Sequence, residues 1–371
     1  MQNRHVGHPA RGGGRRQCGS PKARQTWHTL DIMATANTAG EVQLRAPDWA
    51  AITEAHERIR PRIHRTPVLT SRSLDALTGA RLFFKCENLQ KTGSFKIRGA
   101  TNAIFSLTEE EARRGVATHS SGNHAAAVSC AASWRGIPAW IVMPKNAPGV
   151  KCRAVESYGG KITFCEPNVT SRAETAARLL AETGAVMVHP YDDDRIIAGQ
   201  ATSAKELLEE VPDLDAVLAP VSGGGLLSGT CLGAKGAVAA RRAQAGVPVP
   251  REVKVFGCEP ERANDAYRSI TSGTLQSLET SDTIADGLRA SLSPRTFAIL
   301  RKNVEGILLV SEEEIVATMK LVWERLKIVI EPSSAVALAP VLRASGLKEM
   351  GLEQGAHIGV IFSGGNVELK W

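Results

Sequence analysis

The chain has 371 residues, of which 43% are hydrophobic and 22% charged, a composition typical of a folded protein large enough for two domains. It excludes a collagen, a coiled coil and a chain disordered throughout, and no run reaches the ~18 apolar residues of a membrane span. Residues 1–30 carry +6 of the net charge of +7, so residues 31–371 carry only +1; nucleic-acid binding is therefore not expected.

Seven cysteines are scattered through the sequence without a C-x-x-C pair. An odd, unclustered set argues against disulfides and a zinc site and favours reduced thiols, so we expect a cytoplasmic protein. Residues 1–40 are rich in Gly, Arg and His and are predicted to be disordered. Two interpretations of this basic extension stay open: organelle targeting by residues 1–32, or an upstream extension with Met33 as the working start. We favour the second because the helical pattern needed for import is poor.

Regular structure is expected from about residue 46. Asp48 is a helix N-cap, and its helix should end at Arg60, before Pro61. Short apolar runs then alternate with longer amphipathic ones. These runs predict strands at 81–87, 116–118, 139–143, 161–166, 186–190, 216–220, 254–259 and 357–362, and helices around 96–106, 124–135, 149–158, 171–183, 195–210 and 226–244. The alternation indicates a doubly wound α/β architecture with a mostly parallel sheet.

The first polar motif, residues 91–100, reads Lys-Thr-Gly-Ser-Phe-Lys-Ile-Arg-Gly-Ala and places Lys96 on a turn of small residues where a helix begins. Desolvation there would lower the pKa of the amine and make it a usable nucleophile for Schiff-base chemistry. By itself the motif is weak, because most lysines are solvated surface charges.

The second motif, residues 120–124, reads Ser-Ser-Gly-Asn-His between a strand and a helix. Its hydroxyl and N–H groups could receive a carboxylate at the helix N-terminus, although an ordinary N-cap explains the same residues. We interpret His124 as a core histidine facing a carbonyl rather than as a catalytic base.

Residues 222–229 read Ser-Gly-Gly-Gly-Leu-Leu-Ser-Gly and follow an apolar strand. A glycine loop before a helix exposes N–H groups that suit a phosphate, and a tight turn without a ligand is the alternative. The Lys-Ser/Thr of a P-loop is missing, which disfavours triphosphate hydrolysis. Residues 363–366 (Ser-Gly-Gly-Asn) form a turn after the last strand. Glu259 and Asp265 could hold Mg²⁺, but their spacing alone favours solvated acids.

Together these motifs are far more specific than any one alone, because they occur in this order and at these intervals. Matching segments also lie at 64–71, 197–200, 284–288, 322–327 and 330–333. Over residues 48–370 the chain resembles the serine racemase and serine/threonine dehydratase family, which consists of fold type II (tryptophan synthase β-like) pyridoxal-phosphate enzymes. The resemblance implies two doubly wound parallel-sheet domains with the cofactor in the cleft between them. The large domain would comprise residues 41–110 and 194–371, and the small domain residues 111–193.

The resemblance also implies roles for the motif residues toward pyridoxal 5'-phosphate. Lys96 would bind the cofactor covalently and act as the base on one face, Phe95 would pack on the ring, and Asn123 would hydrogen-bond the ring hydroxyl. Ser363 would lie at the pyridine nitrogen, where a neutral hydroxyl leaves that nitrogen largely unprotonated. The phosphate would be bound by the N–H groups of Gly223, Gly224, Gly225 and Leu226.

The implied reaction is racemisation of serine, with elimination of water to pyruvate and ammonia as a second activity. The residues implied to bind the substrate carboxylate are Ser120, Ser121, Asn123 and His124. Inversion needs an acid–base group opposite Lys96. Ser121 has that motif position, where typical threonine dehydratases have Ala. The alternatives are a serine/threonine or 3-hydroxyaspartate dehydratase with little racemase activity, and a silent sensor of the same fold, against which the retained Lys96 argues.

Further implications concern effectors, metal and assembly. Residues 125–126 are Ala-Ala in place of the Gly-Gln found in the nucleotide site of animal racemases, which makes ATP a doubtful effector. Other parts of that site are matched, at Ser71, Lys91, Thr92, Lys327 and Asn366. Tyr191 replaces an Asn and resembles the dehydratase pattern. Glu259, the Ala263 carbonyl and Asp265 match the cation site of the family, which makes Mg²⁺ (or Ca²⁺ or Mn²⁺) the expected ion. We also expect a homodimer acting on a small amino acid.

Overall fold

Two β-sheets form the centre of the computed structural model, which describes residues 46–120, 122–147, 149–245, 252–278 and 281–368. The strands are β1 (Val68–Leu69), β2 (Arg81–Cys86), β3 (Val116–His119), β4 (Ala139–Pro144), β5 (Lys161–Cys165), β6 (Val186–Met187), β7 (Ala216–Pro220), β8 (Lys254–Pro260), β9 (Gly306–Val310) and β10 (His357–Phe362).

The helices lie mostly between successive strands. They are α1 (Trp49–Ile59), α2 (Arg72–Thr78), α3 (Lys96–Phe105), α4 (Glu109–Arg114), α5 (Asn123–Arg135), α6 (Gly149–Ser157), α7 (Val169–Thr183), α8 (Asp194–Glu210), α9 (Gly225–Ala245), α10 (Asp265–Ser272), α11 (Pro294–Asn303), α12 (Glu312–Leu326), α13 (Pro332–Ala335) and α14 (Gly346–Glu349). Within the described ranges no helix is long and apolar enough to cross a membrane.

The first sheet has six strands in the order β1-β2-β10-β7-β8-β9, and the second has four in the order β5-β4-β3-β6. Among these ten strands of the described residues, only β1 pairs antiparallel, with β2; the remaining pairs are parallel. Both sheets are covered by helices, because each parallel crossover returns the chain over a face of the sheet. The mostly parallel, doubly wound α/β fold is therefore confirmed.

Both faces of the larger sheet are apolar, as a sheet buried on both sides requires. In β10, Ile358 and Val360 pack into one hydrophobic cluster, whereas Ile361 packs into the cluster on the other face. The second sheet packs in the same way between α5 and α7. The two rigid sheets thereby fix the ends of their strands, where the loops of interest begin.

Local sequence signals set most element boundaries. The side chain of Asp48 accepts a hydrogen bond from the N–H of Ala51 at 2.8 Å, as expected of an N-cap, and Gly184 ends α7 in the left-handed conformation. The strand expected at 186–190 ends at Met187, because the chain turns at His189, whose Nδ1 accepts the N–H of Asp192 at 2.8 Å. Strands β1 and β9 were not predicted.

The expected division into two domains follows the sheets but stays a prediction. All four strands of the smaller sheet fall between residues 116 and 187, within the small domain expected at 111–193. The described residues all belong to one compact unit. The expectations for residues 1–40 lie outside the described residues.

Candidate active site

A cavity of about 740 Å³ lies where β3, β7 and β10 end. Parallel α/β sheets bind ligands at the carboxyl ends of their strands, because the loops there converge. The cavity brings together predicted site residues from all four motifs, namely Phe95, Lys96, Ser120, Asn123, His124, Gly223, Gly224, Gly225, Leu226 and Ser363. Ser121 lies outside the described residues.

Lys96 is the first residue of α3 and lines the cavity. Its Nζ donates a hydrogen bond to the carbonyl oxygen of Pro190 at 3.1 Å and lies 5.2 Å from the centre of the Phe95 ring. Burial lowers the pKa of Lys96 to about 8, and the carboxylate of Glu331 opposes this shift. A much larger fraction of this amine than of an ordinary lysine is therefore unprotonated near neutral pH and able to act as a nucleophile.

The glycine loop lies between β7 and α9 and is closed on both sides by packed residues. Gly224 has φ +89°, and a Cβ at this position would lie 2.6 Å from Cβ of Thr296, so the backbone geometry requires glycine. On the other side, a Cβ on Gly223 would lie 2.3 Å from the ring of Tyr191. The loop thus presents bare backbone N–H groups at the positive end of the dipole of α9, which is an anion-binding arrangement.

The loop after β3 leads into α5, for which Gly122 is the N-cap. The N–H groups in the first turn of α5 have no partners within the helix and can receive a carboxylate. His124 is buried, and its Nε2 lies 3.0 Å from the carbonyl oxygen of Val188. Burial and the charge of Lys96 lower the pKa of His124 well below its ordinary value. His124 is therefore neutral, as a core histidine facing a carbonyl should be.

Glu331 is a buried acid in the cavity wall to which the sequence analysis assigned no role. Both of its carboxylate oxygens accept the Nδ2 group of Asn123, at 3.0 and 3.1 Å. Burial raises the pKa of Glu331 to about 7, and the hydrogen bond from Asn123 opposes the shift. Its position directly before Pro332 is a helix-start signal, and nothing local marks it as a site residue. The Nδ2 group expected to bind the cofactor hydroxyl thus contacts Glu331 here.

Ser363 directly follows the last strand, β10, and is a buried residue of the cavity wall. Its hydroxyl lies 3.2 Å from the hydroxyl of Ser334, and its carbonyl oxygen accepts the N–H of Phe95 at 2.9 Å. This backbone bond ties the residue before Lys96 to the end of β10. Ser363 therefore offers a neutral donor to a ligand, and its backbone bond to Phe95 fixes its position relative to the amine of Lys96.

Comparison with known proteins agrees with this geometry. Residues 59–364 match the family described as pyridoxal-phosphate dependent enzyme. The chain belongs to this family. It is 50% identical to the beta-hydroxyaspartate dehydratase of Paracoccus denitrificans, over 87% of this chain and 97% of that protein. It is 48% identical to the serine racemase of Arabidopsis thaliana, over 87% of this chain and 94% of that protein.

Solved structures of the family share the fold. The structure of maize serine racemase superposes with a TM-score of 0.82 at 45% identity, covering 88% of this chain and 95% of that one. The serine racemase of Dictyostelium discoideum superposes with a TM-score of 0.79 at 46% identity, over 87% of this chain and 99% of that one. The predicted family and fold type are confirmed.

The residues around the cavity fit pyridoxal phosphate. The glycine loop has no room for a Cβ against Tyr191 and Thr296, so only its backbone lines the cavity, and its N–H groups suit the phosphate of the cofactor. The amine of Lys96 is desolvated, as covalent attachment to an aldehyde requires. Ser363 suits the pyridine nitrogen because its hydroxyl can donate without protonating the ring. Lys96, the glycine loop and Ser363 would therefore hold the cofactor at three points.

The pH dependence of cofactor attachment should report the environment of Lys96. In protein freed of cofactor, we expect the rate of covalent attachment of pyridoxal phosphate to rise with pH and to level off above about 8, the pKa to which burial lowers this lysine. Only the unprotonated amine attacks, so an ordinary lysine would continue to gain reactivity up to about 10.4. Borohydride trapping followed by peptide mass spectrometry measures this rate. A plateau near the ordinary lysine value would contradict the desolvated site.

The two carboxylates of the expected cation site lie apart from the cavity lining, where β8 ends and α10 begins. Glu259 accepts the N–H groups of Ala266 and Tyr267 at 3.0 and 2.8 Å, and Asp265 accepts that of Leu292 at 2.9 Å. Burial raises the pKa of Glu259 to about 8 and that of Asp265 to about 6. Ala263, between them in sequence, is also buried. Two buried acids fit a hard cation, although the described residues contain no cluster of three or more metal-ligating side chains.

Proposed function

We propose that this protein is a serine racemase that interconverts L- and D-serine and, as a second activity, converts serine to pyruvate and ammonia. The observation that carries the proposal is the convergence of a desolvated lysine, an anion-binding helix start and a glycine cradle on one cavity. Relatives named serine racemase, at 45–48% identity in Arabidopsis thaliana, Dictyostelium discoideum, rice and human, support the choice of reaction.

The protein residues divide the work of the reaction. When bound, pyridoxal phosphate supplies an electron sink that acidifies the α-proton of an amino acid. The start of α5 holds the substrate carboxylate, while the glycine loop holds the phosphate. Lys96 removes or returns the α-proton at Cα from one face. Ser121 does so from the other face, and net inversion results when one residue takes the proton and the other returns it.

Elimination begins with the same removal of the α-proton but continues with loss of the β-hydroxyl. After Lys96 has removed the α-proton, the β-hydroxyl leaves with a proton as water. Hydrolysis of the remaining unsaturated amine then releases pyruvate and ammonia, so the net change converts serine to these two products alone. The test of the function is to incubate pure enzyme with L-serine and to quantify D-serine and pyruvate together. Pyruvate without D-serine would favour a dehydratase.

A specific observation favours a second candidate, a 3-hydroxyaspartate dehydratase. Arg172 on α7 lines the cavity, and its buried Nε has no hydrogen-bond partner among the described residues. A second carboxylate on the substrate would satisfy it. The relatives from Paracoccus denitrificans and Saccharomyces cerevisiae, named for this substrate class, are 50% and 44% identical.

Replacing Arg172 separates the two candidates. If 3-hydroxyaspartate is bound through Arg172, Arg172→Met should raise its KM ~10–100-fold, the cost of losing a hydrogen bond from a charged group, and leave the KM of serine nearly unchanged. The matched control is Arg178→Met, because Arg178 lies on the same helix and its side chain is 63% exposed. Equal effects of Arg172→Met on both substrates would exclude a dedicated second-carboxylate site.

Four further assignments complete the proposal. Mg²⁺, or Ca²⁺ or Mn²⁺, binds at Glu259, Asp265 and the carbonyl of Ala263. The protein forms a homodimer, acts in the cytoplasm and does not use ATP as an effector. The scattered thiols support the compartment, and the Ala-Ala pair at 125–126 supports the last point.

Metal removal should test the cation site. Treatment with EDTA should lower both activity and melting temperature, because Glu259 and Asp265 would otherwise be buried without a compensating ion. Mg²⁺ at 100 times its Kd should restore ~2.7 kcal/mol to the free energy of unfolding. Calorimetry before and after chelation measures the change. Metal-free protein that keeps its melting temperature and its rate would contradict the site.

A further inference from the structure

Arg98 of α3 and four residues packed against it form a buried charge cluster that the proposed reaction does not use; the four are Lys85, Glu87, Thr202 and Glu206. Arg98, Lys85 and Glu87 have no exposed surface, and Glu206 is 2% exposed. None of the five residues lines the cavity. Two cations and two anions are therefore held in the protein interior without direct access to substrate.

Arg98 uses all of its donors within this cluster. Nε and Nη2 donate to the two carboxylate oxygens of Glu87, at 2.7 and 2.8 Å. Nη1 and Nη2 donate to the oxygens of Glu206, at 2.9 and 2.7 Å. The fifth N–H, on Nη1, donates to the hydroxyl of Thr202 at 3.0 Å. A guanidinium has five N–H donors in one plane, so these bonds fix both its position and its rotation.

The two carboxylates are fixed in turn by other elements. Glu87 accepts the hydroxyl of Thr66 at 2.5 Å. Glu206 accepts Nζ of Lys85 at 2.7 Å, and Nε2 of His56 lies 3.2 Å from it. Burial opposes the charge of Arg98, but Glu87 and Glu206 outweigh burial and raise the pKa of Arg98. Arg98 therefore stays charged. Glu206 on α8 is held from α1 and β2, and Glu87 is held from the segment before β1.

The position of Arg98 in the chain links this cluster to the cavity. Arg98 lies two residues after Lys96, in the first turn of α3. Next to it, α3 touches α8 backbone to backbone, because a Cβ at Gly199 would lie only 2.6 Å from Cα of Gly99. The helix cannot move closer to α8, and the bonds of Arg98 prevent it from rotating or moving away. The backbone contact with α8 and the bonds of Arg98 together fix the position and the rotation of the first turn of α3.

The stability of the core does not require a buried charge cluster of this kind. Apolar side chains of similar volume usually stabilise a core as well as a buried ion pair does, since desolvation of the charges offsets their attraction. A planar group with five directed bonds supplies orientation, which apolar packing does not. Lys96 is the residue that needs this orientation, because its amine must lie within a small distance of the atom with which it reacts.

We propose that Arg98 is a positioning residue for Lys96: held between Glu87 and Glu206, its guanidinium fixes the rotation of the first turn of α3 and thereby aims Nζ of Lys96 into the cavity. This proposal rests on the function proposed for Lys96. It extends that function by assigning the orientation of the amine to a cluster outside the cavity.

The experiment compares Arg98→Lys, which keeps the charge but loses the planar five-donor geometry, with Arg343→Lys. Arg343 also forms a two-point pair with a carboxylate, that of Glu314 at 2.7 and 2.9 Å, and belongs to neither α3 nor the cavity. The measurements are kcat and KM per bound cofactor, the melting temperature, and two readouts in cofactor-free protein. These two are hydrogen exchange over residues 96–100 and the rate at which Lys96 captures pyridoxal phosphate, trapped by borohydride.

For Arg98→Lys we expect kcat to fall ~100-fold, as for a displacement of about 1 Å in a reacting group, with KM nearly unchanged. Capture of pyridoxal phosphate by Lys96 should slow ~10-fold or more, and exchange should rise over residues 96–100 alone. Arg343→Lys should lower the melting temperature but leave kcat, the capture rate and the exchange over residues 96–100 as in the wild type. If Arg98→Lys lowers the melting temperature while kcat and capture rate stay within about twofold of wild type, the cluster serves stability only and the proposal is wrong.

If Arg98→Lys does not fold, Thr202→Val carries the same test, because it removes one of the five bonds without uncovering a charge. We then expect a several-fold slower capture of pyridoxal phosphate, and an unchanged rate would overturn the proposal. Failure of the proposed function itself is distinguished by Lys96→Ala, which would stay active only if Lys96 has no role in the reaction.

Discussion

Lys96→Ala should abolish both racemisation and elimination, with rates falling more than ~10⁴-fold, because the variant loses the nucleophile and the base together. The amine of Lys96 lines the cavity, in contact with the carbonyl of Pro190. The side chain of Lys96 lines the cavity and is not part of a hydrophobic core cluster of the described residues, so the variant should fold. Production of D-serine and pyruvate from L-serine measures the loss.

Two controls make the result interpretable. Lys302→Ala, which removes an exposed lysine on α11, should keep wild-type rates. A circular dichroism spectrum and melting curve of Lys96→Ala should match those of the wild-type protein freed of cofactor. Substantial turnover by a folded Lys96→Ala preparation free of wild-type enzyme would remove Lys96 from the proposed role.

Ser121→Ala should remove serine racemisation and spare the dehydration of L-serine. In the proposed reaction Lys96 acts on only one face of the substrate and can handle the α-proton of only one enantiomer. Elimination from L-serine starts on that side and needs no opposing group, whereas inversion does. The loss should exceed the ~10²–10⁴-fold typical of an assisting acid–base group, since no other route would remain. Dehydration of D-serine should fall in parallel, because it starts on the face of Ser121.

The measurement is D-serine and pyruvate formation by the same preparation. Alanine occupies this motif position in typical threonine dehydratases, so the substitution should preserve the loop. Equal loss of both activities would make Ser121 a binding or structural residue. Persistent racemisation would mean that another group or a water serves the second face.

One buried acid, a lysine and a neutral hydroxyl set the charge balance of the proposed site. Glu331 lines the same cavity as Lys96, and burial raises its pKa to about 7, so its charge changes near physiological pH. Its contact with Asn123 joins the carboxylate-binding loop to the start of α13. Ser363 also lines the cavity and adds no charge. The lysine, the acid and the neutral hydroxyl together determine where protons lie before a substrate arrives.

Several elements followed directly from local patterns in the sequence. The helix expected at 195–210 is α8 (Asp194–Glu210), and the strand expected at 216–220 has the same bounds in the structure. Strand β1 escaped prediction because it has only two residues and is held by its pairing with β2. Strand β9 escaped because a five-residue apolar run fits a strand or a helix segment equally well.

The candidate site likewise contains residues that local motifs predict and residues whose roles depend on distant contacts. Lys96, the glycine loop and Ser363 carry their chemistry in motifs of a few residues, so residue type, spacing and the flanking elements are enough to nominate them. Glu331 is different: its role depends on a contact with Asn123, 208 positions away, and no short segment encodes that distance. The five bonds of Arg98 are likewise made to residues 11, 104 and 108 positions away.

Periodicity and caps are properties of neighbouring residues and can be read from the chain. Burial, pKa shifts and the aim of the Lys96 amine arise only when the two sheets and their helices pack together, because desolvation and charge pairing depend on what surrounds a group in space.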